Sequence, residues 1–210
     1  VDYRDKARSF SAVGAFTYGT RNLTGGDLPE LVRVGMASSG VFDALGTAAA
    51  QGRLYTAQED APGTQRVAVI SDGLWRRRFA GDPSIVGRTI LLDDSSTTVI
   101  GIMPADFQMP LDFGAQPMDV WVPLALGPVP PMPRGGHYLN VVARLRPGIT
   151  VPAADREVRA MAAQMVVDYP GQYSPEFGAS VRPMSSQVLG DVRPTLVLLF
   201  AAVACVLLIA

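Results

Sequence analysis

The sequence predicts an α+β protein built in two lobes, on three observations. Segments of helical spacing alternate along the chain with short runs of β-branched residues. A polar, turn-rich stretch at 53–65 (RLYTAQEDAPGTQ) and a Pro- and Gly-rich stretch beginning near 107 bracket a compact strand–helix–strand–strand unit. The segments on either side of that unit then most simply fold together, as one subdomain interrupted by another. Residues 1–55 and 131–192 are the two parts of the first lobe, residues 56–130 the inserted lobe, and residues 193–210 an apolar tail.

The first element predicted is a short helix in DYRDKARSFSAVGAF, with Ala7, Phe10 and Val13 spaced by three. Gly14, Phe16 and Tyr18 mark a change to extended chain, TGGDLPE a turn, and LVRVGMA (31–37) a strand. SGVFDALG reads as a helical turn closed by Gly46. In the insertion, RVAVIS (66–71) is a buried-type strand, and the following helix places Trp75 and Phe79 at i,i+4. RTILLDD and STTVIGIMP are strands of a hairpin turning at Asp93–Ser96. DVWVPL is a short strand within a long loop, and HYLNVVARLR (137–146) another strand. A helix then starts at the N-cap Thr150, with Pro152 in its first turn and Asp155 and Glu157 following. Its stripe is Val158, Met161, Ala162 and Met165, Tyr169-Pro170 ends it, and FGASVRPMS (177–185) is a final strand.

Composition excludes several function classes. The net charge of -1 gives no reason to expect nucleic acid, and WRRRF (75–79) is too small for a phosphate footprint. It reads as an amphipathic helix with a core-facing aromatic pair. The single Cys205 rules out disulfides and multi-cysteine metal sites within one chain. His137 is the lone histidine and has no serine or cysteine nucleophile beside it. The pairs Glu59-Asp60 and Asp93-Asp94 fall in loops, where adjacent acids are solvated rather than split in pKa. There is no G-x-G-x-x-G and no P-loop. No catalytic, metal or cofactor constellation emerges, and a non-enzymatic protein without a cofactor is expected.

The tail is ambiguous when read alone. Leu196–Ala210 is wholly apolar, and its 15 residues make about 22 Å of helix against roughly 30 Å of hydrocarbon core. Its ten Leu, Ile, Val and Phe residues nevertheless favour insertion by roughly 3–6 kcal/mol. A span cut short and a buried helix of a soluble domain both remain open at this point.

One set of residues carries a resemblance. Trp75, Phe79, Gly81-Asp82-Pro83, Gly87-Arg88, Val99-Ile100-Gly101, Met103-Pro104, Phe107 and Pro110 resemble the signature of the periplasmic core domain of MacB-like ABC-transporter permeases. Within that family the chain looks most like the duplicated orphan permeases with FtsX-like membrane regions. The likeness extends upstream through FDALG (42–46), GR (52–53) and ED (59–60). Downstream it takes in DVWVPL (119–124, with Trp121), ARLRPGIT (143–150) and the apolar tail. Two places depart from the pattern: TAAAQGR lacks a proline before GR, and the loop at 111–136 is particular to this chain. The motif residues Trp75, Phe79, Gly81, Asp82, Pro83, Gly87, Arg88, Gly101, Pro104 and Trp121 have structural explanations as fold determinants.

The resemblance implies an extracytoplasmic domain between two membrane helices, with a porter-like α/β lobe interrupted by a small α/β lobe. Residues 1–192 would lie outside the bacterial inner membrane, in the periplasm, and 193–210 would begin the second transmembrane helix. Such a domain is moved mechanically by a cytoplasmic ABC ATPase, for export or related work. The implied partners are that ATPase subunit, a second permease copy and a periplasmic adaptor or other partner protein. GDVRP (190–194), with Gly190 and Pro194, would be the coupling junction. The competing expectation is a soluble α/β enzyme or ligand-binding domain whose C-terminal helix is buried.

Overall fold

The computed structural model describes residues 2–25, 28–109, 117–126, 138–174 and 176–189. It is a mixed α/β fold. A short helix α1 (Asp2–Lys6) leads into a long strand β1 (Phe10–Thr24), which returns as β2 (Glu30–Ala37). Then come α2 (Gly40–Leu45), β3 (Gln51–Gly52), β4 (Val67–Ile70), α3 (Asp72–Phe79) and a 3-10 turn at Pro83–Ile85. β5 (Thr89–Leu92), β6 (Ser95–Ile102), β7 (Val120–Pro123), β8 (Asn140–Leu145), α4 (Val151–Asp168) and α5 (Met184–Leu189) complete the order.

The eight strands form one sheet in the order β2-β7-β4-β6-β5-β1-β8, with β3 beside β6, and β1 also pairs with β2. That last pairing closes six strands into a ring, from which β8 projects. β1 makes the closure possible through its length. Its first part ladders with β8 (Phe10–Phe16 against Leu145–Asn140), and its second part with β2 (Phe16–Leu23 against Ala37–Glu30). Leu23 and Thr24 meet β5. Ring closure satisfies strand edges that would otherwise be open to pairing with other chains.

Alternation sorts the side chains of the ring. Leu23, Val32, Val34, Ala68, Ile70, Val99, Ile102 and Val120 form one buried cluster, which Leu74 of α3 and Ile85 of the 3-10 turn join. The alternate residues Val67, Val69, Ile100 and Trp121 form a second cluster with Phe42, Tyr55, Met103 and Met118. All four β4 residues are therefore buried. Phe16, Ala37, Val41, Ala44 and Val142 make a third cluster around α2, and Phe10, Ala154 and Val158 a fourth beneath α4.

Local signals account for most of the elements. The Ser71 Oγ accepts the Leu74 N–H at 3.0 Å and caps α3. Gly46 closes α2 at φ 66°. Asp93 and Asp94, both at positive φ, make the tight β5–β6 turn, a geometry to which aspartate is better suited than most side chains.

Two expectations need correction. The first helix stops at Lys6, and Phe10 onward is strand. The β1–β8 register shifts between Phe10 and Ala12, so Ser11 is an extra bulge residue. That insertion puts Phe10 and Val13 three apart and imitates helical spacing. Second, Phe177–Pro183 is not a strand, and helix α5 begins at Met184. The Val181 N–H is taken by the Asp155 carboxylate instead of a ladder carbonyl. Thr150 does occupy the α4 N-cap in extended backbone, but its hydroxyl makes no capping bond. Among the described residues no helix is long and apolar enough to cross a membrane, and the apolar tail 193–210 lies outside them.

Candidate functional site

α4 is amphipathic, and its buried stripe begins with Ala154 and Val158. These pack on Phe10 with Tyr3, Ala7, Val13, Leu145, Ala179 and Val181 around them. Successive helical residues are 100° apart, so Asp155 and Glu157 fall on opposite flanks of the stripe and Arg156 points away from it. Each flanking acid grips a different stretch of backbone. The Glu157 carboxylate accepts the Arg8 N–H at 2.7 Å and the Ser9 N–H at 2.9 Å, just before β1. Asp155 accepts the Val181 N–H at 2.8 Å, just before α5, and Arg159 Nε at 2.6 Å. Arg146, after β8, adds bonds from its Nε to the Arg8 carbonyl and from its N–H to the Ser9 carbonyl.

One helix thus holds the segment entering β1 and the segment leading to α5. Arg159 and the Val181 N–H keep the Asp155 carboxyl below its usual range, and Ser9 with the Arg8 N–H does the same for Glu157. Both clamps are therefore ionised at neutral pH. Sequence reasoning placed these acids near a helix start but missed what they hold. The general preference of acids for that end of a helix explained them equally well.

The motif residues gather at a second place. The Trp75 indole N–H donates to the Asp82 carbonyl at 2.9 Å, across the turn that Gly81 makes at φ 70°. Asp82 accepts the Ser84 N–H at 2.9 Å and its hydroxyl at 2.7 Å, with Pro83 opening the 3-10 turn between them. Arg88 reaches Asp82 at 3.4 Å and also contacts the Ser84 hydroxyl. Gly87 at φ 94° lets its N–H meet the Val99 carbonyl at 2.7 Å. Phe79 packs with Trp75 against the first cluster. Gly101 and Trp121 lie elsewhere: a Cβ on Gly101 would stand 2.3 Å from the Arg53 carbonyl, and Trp121 packs against Phe107 at 5.4 Å between centroids. Pro104 opens a turn closed by the Phe107 N–H at 3.1 Å. Gly190 and Pro194 lie outside the described residues, as does His137.

The GR and ED words of the sequence meet in space. Arg53 forms a bidentate pair with Glu59, both bonds at 2.7 Å, and Thr56 donates to the same carboxylate. Asp60 accepts the Ser39 N–H at 3.1 Å and the Ala125 N–H at 2.9 Å, joining the β2–α2 and post-β7 loops. Tyr55 is buried, and its hydroxyl donates towards the Ala37 and Val122 carbonyls, at 2.8 and 3.2 Å. Burial raises its pKa well above the usual tyrosine range. The arginines of WRRRF are likewise committed: Arg76 to Asp72, Arg77 to Glu30 and Asp119, and Arg78 to the Leu28 carbonyl. Among the described residues no group of His, Cys, Asp and Glu could hold a metal ion.

The Arg53 hydrogen bonds hold Glu59 at about 2, against an ordinary 4.5. A depressed folded-state value stabilises above the unfolded value, and the gain is lost as pH falls through the folded one. Urea midpoints should therefore drop between pH 4.5 and 2 in the parent chain, and Glu59→Gln should remove part of that drop. An identical acid profile in the variant would refute this role for Glu59.

Comparison with known proteins places these features in context. Residues 1–161 match the family described as the MacB-like periplasmic core domain. The extracellular domain of the noncanonic ABC-type transporter YknZ from Gram-positive bacteria superposes with a TM-score of 0.57 at 14% identity, covering 78% of this chain and 80% of that one. The periplasmic region of MacB from Actinobacillus actinomycetemcomitans gives 0.58 at 16%, covering 77% and 70%. A domain of a putative permease protein from Porphyromonas gingivalis gives 0.60 at 17%, covering 86% and 80%. No curated protein matches.

Proposed function

Because the chain belongs to the MacB-like periplasmic core domain family, we propose that it couples cytoplasmic ATP hydrolysis to conformational change outside the membrane, for export or related mechanical work. The chain is an extracytoplasmic domain of a MacB-like ABC-transporter permease, and permeases of this type work with cytoplasmic ATPase partners. The coupling role is supported above all by α4, whose Asp155 and Glu157 tie the approach to β1 and the approach to α5 to a single helix. A displacement delivered along either approach reaches α4 through ionic hydrogen bonds, and β1 carries it into the ring.

In this proposal residues 1–55 and 131–192 form a porter-like lobe and 56–130 the inserted lobe, with β1, β2 and β3 of the first pairing to β5, β7 and β6 of the second. Residues 193–210 begin a membrane helix, and the domain lies on the periplasmic side of the inner membrane. It performs no catalysis. A second permease copy and a periplasmic adaptor or other partner protein complete the assembly.

The test uses the intact permease with its ATPase in lipid, with spin labels at Ala160 on α4 and Arg66 beside β4. Nucleotide should change the distance between them, and Glu157→Gln combined with Asp155→Asn should abolish the change while ATP hydrolysis continues. Replacing Gly190 or Pro194 should uncouple in the same way, with the domain still folded. A parent protein with no nucleotide-dependent distance change would overturn the coupling role. An unchanged response in the clamp variant would remove α4 from it.

A further inference from the structure

Charge is distributed unevenly over this molecule. Residues 17–126, which supply β2 to β7 and most of β1, carry eight basic and twelve acidic side chains. The rest of the chain carries ten basic and seven acidic. Among the described residues the balance is -2 over 17–126 and +2 over the rest, so the net charge of -1 hides a dipole, negative toward the strand ring and positive toward the segments around α4.

The positive end has a definite shape. Arg156 points outward between the two clamping acids. Arg182 follows Val181, which is bound on the Asp155 flank, and Arg8 lies on the Glu157 flank with Arg146 bonded to its carbonyl. All four are exposed, so they spread from one flank of α4 across its outer face to the other. The acids among them, Asp155 and Glu157, already accept two hydrogen bonds each. Among the described residues Arg156 and Arg182 pair with no carboxylate. The nearby Arg159 is paired to Asp155 and is left out of the surface.

We infer that Arg8, Arg146, Arg156 and Arg182 form a docking surface for the anionic phospholipid headgroups of the membrane. The inference rests on the permease reading, which sets the domain beside a bilayer. It commits to lipid for two reasons. The charges are spread over a convex helix face instead of converging on a pocket, which suits a field more than a single anion. The approach to α5, which carries Arg182, continues in sequence towards the apolar run Leu196–Ala210. An anionic surface attracts basic groups within about a Debye length, roughly 8–10 Å at physiological salt. The same field repels the acidic ring, so docking also sets which end of the domain faces the membrane.

The probe is the intact permease in nanodiscs of phosphatidylcholine alone or with a third phosphatidylglycerol. Hydrogen exchange is followed over 151–160 and 179–182. Exchange should slow in the anionic discs, return to the neutral-disc rate in 0.5 M salt, and be insensitive to lipid in Arg146→Gln/Arg156→Gln/Arg182→Gln. Each arginine removed should weaken docking about fivefold. Arg66→Gln/Arg88→Gln, on the ring side, should behave as the parent. Equal exchange in both lipids would overturn the inference, as would protection that appears only when an acidic partner protein is added. Because nucleotide-dependent distances are read separately, this surface can fail while the coupling role stands.

Discussion

Trp121→Ala should lower the stability of the domain by about 3–5 kcal/mol, the range for deleting a large buried aromatic. Trp121 is 2% exposed, lies edge-on to Phe107 and covers Gly35, whose hypothetical Cβ would be 2.9 Å from the indole Cδ1. The residue links β7 to the β2 backbone, so its loss opens a cavity where two strands and the second cluster meet. Among the described residues the buried indole N–H has no partner. Trp121→Phe should accordingly cost much less than the alanine variant, since no hydrogen bond is lost. Chemical denaturation of the three proteins decides the matter. A phenylalanine variant as unstable as the alanine one would show that the N–H matters more than the packing.

Gly14→Ala should be nearly as damaging, from the opposite cause. A Cβ at Gly14 would lie 2.2 Å from the Val41 backbone nitrogen and 2.4 Å from its Cα. Overpacking usually costs about 1–3 kcal/mol, because a side chain can turn aside. Here the obstacle is helix backbone, and Gly40 meets the Val13 carbonyl just as closely, at 2.3 Å from its own hypothetical Cβ. β1 and α2 would have to separate, breaking the Ser38–Ala15 bonds that join them. The expected loss is at the upper end of that range, about 3 kcal/mol. A denaturation midpoint indistinguishable from the parent would exclude the close approach.

Elements written in local chemistry were legible in the sequence. The Ser71 cap, the Gly46 stop and the Asp93-Asp94 turn each act within a few residues, and the inserted strand–helix–strand–strand unit is marked by such signals throughout. What could not be read depends on distant partners. Closure of the ring rests on a two-pair contact of β1 with β5 and a parallel pairing of β2 with β7, and neither leaves a mark on a single segment. The Ser11 bulge changed a period of two into an apparent three. Gly14 was visible only as a break in a helix, because the Val41 backbone it accommodates is remote in sequence.

The same limits apply to the candidate site. Arg53 and Glu59 were noticed as separate words of a resemblance, while their pairing needed coordinates. Asp155 and Glu157 have an ordinary reason to sit near a helix start, so their identity says nothing about Val181, Arg8 or Ser9. The belonging of the chain to its family was readable, because that rests on the order of short words over the whole length.

The closed ring also bears on how the domain resists force. β1 is laddered to β2 through eight residue pairs, from Phe16 to Leu23. A pull along β1 loads those hydrogen bonds in shear, all at once, whereas a pull across the strands would peel them apart one by one. Under the proposed coupling, traction entering at Arg8 and Ser9 would run down the strand axis. Such a load would meet the ring along its strong direction, as a cable meets its anchorage, and the softer contacts outside the ring would yield first.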